Sequence, residues 1–335
     1  MVKNFWQELP RPFFCLAPLA NVTDAAFRRL IANYSKVEGG WPYVTYTEFT
    51  SADGLALAGE EGRAKLMRDL LFTEAERPIV AQFFTATPAH MEAAAALAAK
   101  LGFDGVDINM GCPDRAIEKQ GAGAKLIINP KRAQELIAAA KRGLARGRAT
   151  AEGAPNLPVS VKTRLGYNKD ALEEWLPALL EAQPAMVAIH ARTRKEMSKV
   201  PAHWERVKRA VEIRDALKSE TLIVGNGDVK DLADARHKAK ESGADGVMLG
   251  RAVFGNPWLF SEPKAEVSVE QQLRVLVEHA KLFEKLLGDI KSFAIMKKHF
   301  KAYVEGFPGA KELRLKLMEA ENAARVGAIV EEFLS

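Results

Sequence analysis

Eight short apolar or β-branched runs recur along residues 13–250, separated by stretches with helical spacing. No other feature narrows the fold as far. The runs are FFCLAP (13–18), YVTYTEF (43–49), PIVAQFF (78–84), GVDINM (105–110), PVSVKT (158–163), AMVAIHA (185–191), TLIVGN (221–226) and DGVMLG (245–250). Between them lie amphipathic stretches such as TDAAFRRLIANY, PAHMEAAAALAAKLG, PKRAQELIAAAKRGL and DLADARHKAKESG. A strand followed by a crossover helix feeds a parallel neighbour. Eight such units in succession are what a (β/α)8 TIM barrel needs. A doubly wound open sheet is the alternative, but it would not normally carry polar residues at so many strand ends.

The rhythm changes near residue 262. SVEQQLRVLVEHAKLFEKLLG, DIKSFAIMKKHFKAYVEG and GAKELRLKLMEAENAARVGAIVEEFL all have helical spacing, with Gly288, Gly306 and Pro308-Gly309 as punctuation. Ser268, followed by Glu270 and Gln271, reads as a helix start. The expectation is an α/β barrel over 1–262 and an all-α bundle of three or four helices over 263–335. The stretch RGLARGRATAEGAPNLP (142–158) is longer than a barrel loop needs and is expected to be a flexible basic loop, away from the chemistry.

Only two cysteines occur, Cys15 and Cys112, which is no disulfide framework. There is no run of about 18 apolar residues, and MVKNFWQELPRPFF lacks the apolar core of a signal peptide. These features describe a reduced cytoplasmic protein with no membrane association. The net charge of +5 is only mildly basic, so its placement says more. Residues 125–148 hold seven Lys/Arg against one Glu, 192–218 hold nine against four acids, and 291–316 hold seven against two. Such clusters are either solvated helix faces or patches that track a nucleic-acid backbone.

In this barrel class the active site sits at the C-terminal ends of the strands. Those ends read Pro18-Leu19-Ala20, Glu48, Gln82, Asn109 with Cys112, Lys162 with Arg164, His190 with Arg192, Asn226-Gly227-Asp228, and Gly250-Arg251. Gly250-Arg251 opens a short helix after the last strand, and a glycine, free N–H groups and a forked cation together suit a phosphate. GNGDVK offers a second glycine turn, and it is not a dinucleotide fingerprint. Lys162 on an alternating strand needs a partner, either a carboxylate such as Asp107 or an electron-rich ligand. With Gln82, His190 and Arg192 it suits a planar heterocycle bearing carbonyls and a phosphate. Flavin mononucleotide (FMN) fits that description, and Lys162 would stabilise its anionic reduced form. Cys112 sits in a turn between Gly111 and Pro113. It could be a nucleophile, a metal ligand or a proton donor. Metal binding lacks a Cys/His set, a nucleophile needs an adjacent base, and a proton donor fits a flavin reductase. Cys15, inside an apolar strand, is given no role.

These residues resemble the tRNA-dihydrouridine synthases of the bacterial, FMN-dependent type, along nearly the whole chain. The likeness rests on CLAPLANVTDAAFRRL, DINMGCPDRAIEKQGAGAKLI, VSVKTRLGY, IHARTR, GNGDV, LGRAVFGNPWLF and the tail MKKHFKAYVEGFPGAKELRLKLM. It implies an FMN-binding TIM barrel that uses NADPH to reduce particular uridines in tRNA, followed by a helical tRNA-recognition domain. It implies FMN contacts from Pro18, Leu19, Ala20, Gln82, Lys162, His190, Asn226, Gly227, Asp228, Gly250 and Arg251. It further implies that Cys112 protonates C5 of uracil while hydride reaches C6, and that Asn109 bonds the uracil edge. Arg192 and Arg194 would serve either the flavin phosphate or the target nucleotide. Lys297, Lys298, His299 and Lys301 would hold the tRNA backbone. No metal and no obligate protein partner are implied. Departures from the family pattern include Leu19 where methionine is commoner, Phe49, and Ala191 and Val200 where glycines are frequent. They blur the subfamily, and with it the target position in tRNA.

Overall fold

The structure is a computed structural model that describes residues 4–35, 43–147 and 157–335. The chain forms two compact units. The first comprises Met1–Pro18, Trp41–Leu70 and Arg77–Gly250, and the second comprises Leu19–Gly40, Leu71–Glu76 and Arg251–Ser335.

The first unit carries the parallel sheet that the alternation predicts. Its strands are β1 Phe13–Leu16, β2 Thr45–Tyr46, β3 Thr50–Ser51, β4 Ile79–Phe84, β5 Gly105–Met110, β6 Val159–Arg164, β7 Met186–His190, β8 Leu222–Asn226 and β9 Gly246–Leu249. They pair in the order β1-β9-β8-β7-β6-β5-β4-β2, with β3 also on β4. The ring closes where Leu16 N–H donates to Val44 O at 2.9 Å and Val44 N–H donates to Phe14 O at 2.9 Å. β2 and β3 are two pieces of one strand, so the sheet is an eight-stranded TIM-type barrel. The break has a local cause. The Thr47 hydroxyl takes the Gln82 N–H at 3.0 Å, and the register on β4 shifts by one residue between Tyr46↔Val80 and Thr50↔Phe83, as at a bulge. β5 is buried at every position, which is why it reads as a nearly continuous apolar run.

One expectation is corrected. The helix Pro130–Gly147 takes in residues 142–147, which the sequence reading assigned to a loop. Leu144 is buried in it. Gly143 and Gly147 are contact points rather than breakers, since a Cβ would lie 2.2 Å from Glu92 O and 2.6 Å from Ala96 O respectively. They let this helix press against the helix Pro88–Leu101. Residues 148–156 of the expected loop lie outside the described residues.

The second unit is helical. Val269–Leu287 is its long helix, started by a Ser268–Gln271 capping box. It packs on Ala25–Tyr34, Met296–Tyr303 and Ala323–Leu334, and Ala310–Met318 joins the last two. So four α-helices follow residue 263, and the crossover helix after β1 belongs with them. Arg28 and Glu76 form a fully buried ion pair at 2.9 Å. Among the described residues no helix is long and apolar enough to cross a membrane.

Candidate active site

Parallel register lines up polar side chains along the C-terminal half of the barrel. Gln82 is the ladder partner of Asp107, Asn109 of Lys162, and Arg164, His190 and Asn226 align across β6, β7 and β8. Registered neighbours in a parallel sheet share a face, so residues distant in sequence meet in the barrel. Gln82 and Asp107 are fully buried, and Asn109 and Asn226 nearly so.

Hydrogen bonds join several of these groups into one line. Ser160 Oγ donates to Asp107 Oδ1 at 2.6 Å, and Gln82 Nε2 donates to Asp107 Oδ2 at 2.7 Å. Asn109 Nδ2 donates to Gln82 Oε1 at 3.0 Å. Asn109 Oδ1 then accepts the N–H groups of Gly111 at 3.2 Å and Cys112 at 2.9 Å. On its other side the Cys112 carbonyl accepts the Ala124 N–H at 2.9 Å. That approach needs Gly123, at φ +60°, because a Cβ there would lie 2.7 Å from Cys112 O. Asp114 caps the short helix Arg115–Lys119 between them. The sequence GCPDRAIEKQGAGAK therefore folds back on itself and holds the thiol in a fixed turn.

The electrostatics follow from burial. Burial, with the Asp114 charge adding to it, pushes the Cys112 thiol up, against an N–H from Asp114 and the nearby charges of Arg164 and Lys162. Cys112 is accordingly protonated at neutral pH, and partly accessible. Burial and then Arg164 bring Lys162 down to about 8, while Asp107 and Cys112 hold it up. Burial brings Asp107 up to about 6 against its hydrogen bonds from Ser160 and Gln82. No carboxylate forms an ion pair with Lys162 among the described residues. Arg164 spends its donors on carbonyls, Nε on Gly111 at 2.8 Å and Nη1 on Thr193 and Met197 at 3.1 and 2.9 Å. A half-buried Lys162 and a buried Arg164 thus border Cys112, neither in an ion pair among the described residues.

The β7 loop is a second network. Arg192, which is 2% exposed, donates from Nε to Val200 O at 2.6 Å, from Nη1 to His190 Nε2 at 3.1 Å, and from Nη2 to Asp228. A guanidinium can only donate, so His190 Nε2 is the acceptor and the proton lies on Nδ1. Arg194 makes a two-pronged pair with Glu118 and lies 5.1 Å over the Tyr167 ring, which Lys125 also approaches at 5.3 Å. Arg192 and Arg194 therefore brace loops.

The remaining expected site residues divide between the units. Pro18 follows β1 and Gly250 follows β9 in the first unit, and Gly227-Asp228 follows β8. Leu19, Ala20 and Arg251 fall in the second unit, where Thr23 Oγ1 takes the Leu19 N–H at 2.8 Å. Lys297, Lys298 and Lys301 are exposed on the helix Met296–Tyr303. His299 is a correction. It is fully buried, stacks against Phe254 and lies edge-on to Phe27, so it cannot touch a nucleic-acid backbone. Helical spacing placed it on the inner face between exposed lysines. Two residues that the sequence gives no ligand role, Asp107 and Arg164, are central to the site. The signal was there for both: Asp107 lies two before Asn109 and Arg164 two after Lys162, on the same strand faces.

Residues 15–335 match the profile of the family described as dihydrouridine synthase (Dus). A Staphylococcus aureus (strain MRSA252) protein named "Probable tRNA-dihydrouridine synthase" is 41% identical over 99% of this chain and 96% of its own length. A Bacillus subtilis (strain 168) protein named "Probable tRNA-dihydrouridine synthase 2" is 40% identical over 99% of this chain and 97% of its own length. Among solved structures, histamine dehydrogenase from Rhizobium sp. 4-9 is 13% identical with a TM-score of 0.50, over 80% of this chain and 48% of that one. The amine oxidase HisD from Pseudomonas geniculata N1 is 14% identical, also at 0.50, over 77% and 49%. These two likenesses speak to the fold. The profile and the relatives, spanning the Cys112 turn, the barrel strands and the helical tail together, speak to descent: the chain belongs to the dihydrouridine synthase family.

Proposed function

We propose that this protein reduces specific uridines in tRNA to 5,6-dihydrouridine, with FMN as its resident cofactor and NADPH as the electron donor. The observation that carries this reading is a protonated, partly accessible thiol in a fixed turn, bordered by two cations, Lys162 and Arg164, that make no ion pair among the described residues. Family membership and the names of the relatives support the substrate.

The barrel fits an FMN. Asn109, backed by the buried Gln82, keeps one amide N–H unspent by the protein contacts described above, His190 carries its proton on Nδ1, and Lys162 is a half-buried cation that makes no ion pair among the described residues. All of them suit the carbonyls and ring nitrogens of an isoalloxazine. Pro18, Asn226, Gly227, Asp228 and Gly250 would hold it from the barrel. When bound, FMN supplies the hydride that reaches C6 of the uracil. The protein's own part is the proton: Cys112 keeps it on Sγ at neutral pH and delivers it to C5. Asn109 bonds the uracil edge, and Lys162 and Arg164 oppose negative charge that develops beside the thiol. A base must leave its stack to be read this way. Residues 263–335 are assigned to gripping the tRNA. With a tRNA substrate the protein works in the cytoplasm.

The deciding experiment is anaerobic flavin reoxidation. The protein is purified, its flavin identified by the visible spectrum and reduced, and tRNA lacking dihydrouridine is added. Free uracil and orotate are added in parallel. Reoxidation by tRNA alone is expected. Reoxidation by a free base would move the protein to the small-molecule reductases, and no flavin uptake even with added FMN would overturn the cofactor assignment.

The helical unit makes a separate prediction. Lys297 and Lys298 are exposed and make no ion pair among the described residues. Each change to Ala should weaken tRNA binding across sequences and lower the slope of log affinity against log salt by about one. An unchanged slope would remove that helix from the interface.

A further inference from the structure

The relay from Ser160 to the Cys112 turn has an obligate acceptor at one end and obligate donors at the other. An ionised Asp107 carboxylate can only accept, so Gln82 must turn its NH2 toward it. That leaves Gln82 Oε1 to face Asn109, which must answer with its own NH2. Asn109 Oδ1 then faces the Gly111 and Cys112 N–H groups. Starting from the other end gives the same result, because backbone N–H groups can only donate. All four bonds lie between 2.7 and 3.2 Å. Gln82 and Asp107 are fully buried and Asn109 is 6% exposed, so water does not readily substitute for a missing partner.

We propose that Asp107 is the positioning residue that, with the Gly111 and Cys112 N–H groups at the far end, locks the direction of this relay, and through it the shape of the Cys112 turn and the chemistry the barrel mouth offers. With the direction fixed, Asn109, which keeps a little exposure, has an N–H and not its carbonyl left for whatever enters, and the fully buried Gln82 holds it that way from behind. The mouth therefore selects ligand groups that accept hydrogen bonds. On the function proposed above, these are the carbonyl of a uracil edge and the carbonyls or bare ring nitrogens of the flavin. A base with an exocyclic amine at the same edge meets N–H against N–H and is rejected. Asp107 touches no ligand in this account and acts only through Gln82 and Asn109. A Ser160 hydroxyl at 2.6 Å holds its other oxygen, which leaves the carboxylate a single orientation.

The test uses the full-length protein with two substitutions at one position. Asp107→Asn can keep an acceptor toward Gln82 by turning its NH2 to the Ser160 oxygen. Asp107→Leu keeps the branched skeleton, with bulkier methyls for the two oxygens, and cannot accept at all. The first readout needs neither flavin nor turnover: the rate at which iodoacetamide alkylates Cys112, Cys15 being buried. Asp107→Leu should change that rate by about tenfold, the equivalent of one lost buried hydrogen bond, while Asp107→Asn stays within about twofold of wild type. FMN affinity and tRNA-driven reoxidation of the reduced flavin should fall in the same order. If the Leu protein is insoluble, Gln82→Leu cuts the relay at its next link with Asp107 intact and should reproduce the alkylation change. Alkylation unchanged in whichever apolar variant is soluble overturns the proposal. Equal impairment of Asn and Leu overturns it too, since charge and not direction would then matter. The reading of function fails separately, if wild type itself is inert toward tRNA, and the alkylation comparison still decides the relay in that case.

Discussion

On the function proposed here, Cys112→Ala should lower the rate of dihydrouridine formation by about 100- to 10,000-fold, the range for loss of a placed general acid, and leave FMN bound and reducible. The specificity of that loss comes from how the turn is built. The contacts that shape it run through the backbone of Cys112: its N–H to Asn109 Oδ1 and its carbonyl from Ala124 N–H. Alanine keeps both. What disappears is Sγ and its proton, which burial holds in place by raising the thiol. Cys112→Ser keeps a hydroxyl of similar reach, but a far weaker acid, and should sit close to the alanine variant. Single-turnover reoxidation of the reduced flavin by tRNA, with nucleoside analysis of the product, separates this from a binding defect. The Ala protein should still bind tRNA and still accept electrons from NADPH. Turnover at the wild-type rate would mean that the proton at C5 comes from elsewhere.

How much of this was legible in the sequence depended on the range of the interaction. The barrel was legible because eight strands buried on both faces leave long apolar runs, and helices between them leave a period that differs from that of strands. The Cys112 turn was legible because Gly111 and Pro113 are local restraints on a local shape. The boundary at 142 was not, because Gly143 and Gly147 serve a partner helix some fifty residues earlier, and a glycine looks the same whether it breaks a helix or lets one approach. His299 looked like one more basic residue among Lys297, Lys298 and Lys301, yet Phe27 and Phe254 surround it from distant segments. Asp107 showed the same limit from inside the site. As a strand aspartate next to Lys162 it looked like a counter-ion, whereas the structure gives it to Gln82 and Ser160. Residue type and spacing pointed to the mouth of the barrel. Which donor faces which acceptor there depends on cross-strand register, which one sequence does not carry.

The stability of the helical unit should fall as the solution is acidified below about pH 6.5, because of two histidines that have no place for a proton. His279 and His299 are both fully buried, with ring centroids 4.5 Å apart. His279 stacks on Phe27 at 4.8 Å and 10°, and lies 6.0 Å from the Tyr303 ring. None of the four ring nitrogens has a hydrogen-bond partner among the described residues. The charged groups that bear on this cluster are Lys298, which opposes a second positive charge, and Glu278, which acts on Tyr303 and is hydrogen-bonded to Tyr34. Burial and then Lys298 bring His299 down to about 3, and burial and then His299 bring His279 well below its ordinary 6.5. The sign follows. The unfolded chain takes up protons on both histidines below pH 6.5, and the folded chain does not until pH is far lower. The stabilisation is therefore complete above 6.5 and is lost as pH falls toward 3. Each histidine contributes at most about 1.4 kcal/mol per pH unit in that window. Urea unfolding followed by far-UV circular dichroism from pH 7.5 to 4.5 measures the slope. His279→Phe keeps the stack on Phe27 and removes two orphaned nitrogens, so it should raise stability at pH 7.5 by about 1–3 kcal/mol, offset in part if the larger ring crowds its neighbours. It should also flatten the acid slope, and the double variant His279→Phe/His299→Phe should flatten it further. An acid slope identical in wild type and double variant would place the sensitivity in other groups. Retained stability down to pH 4.5 in wild type would mean that the cluster finds a partner for its proton without opening.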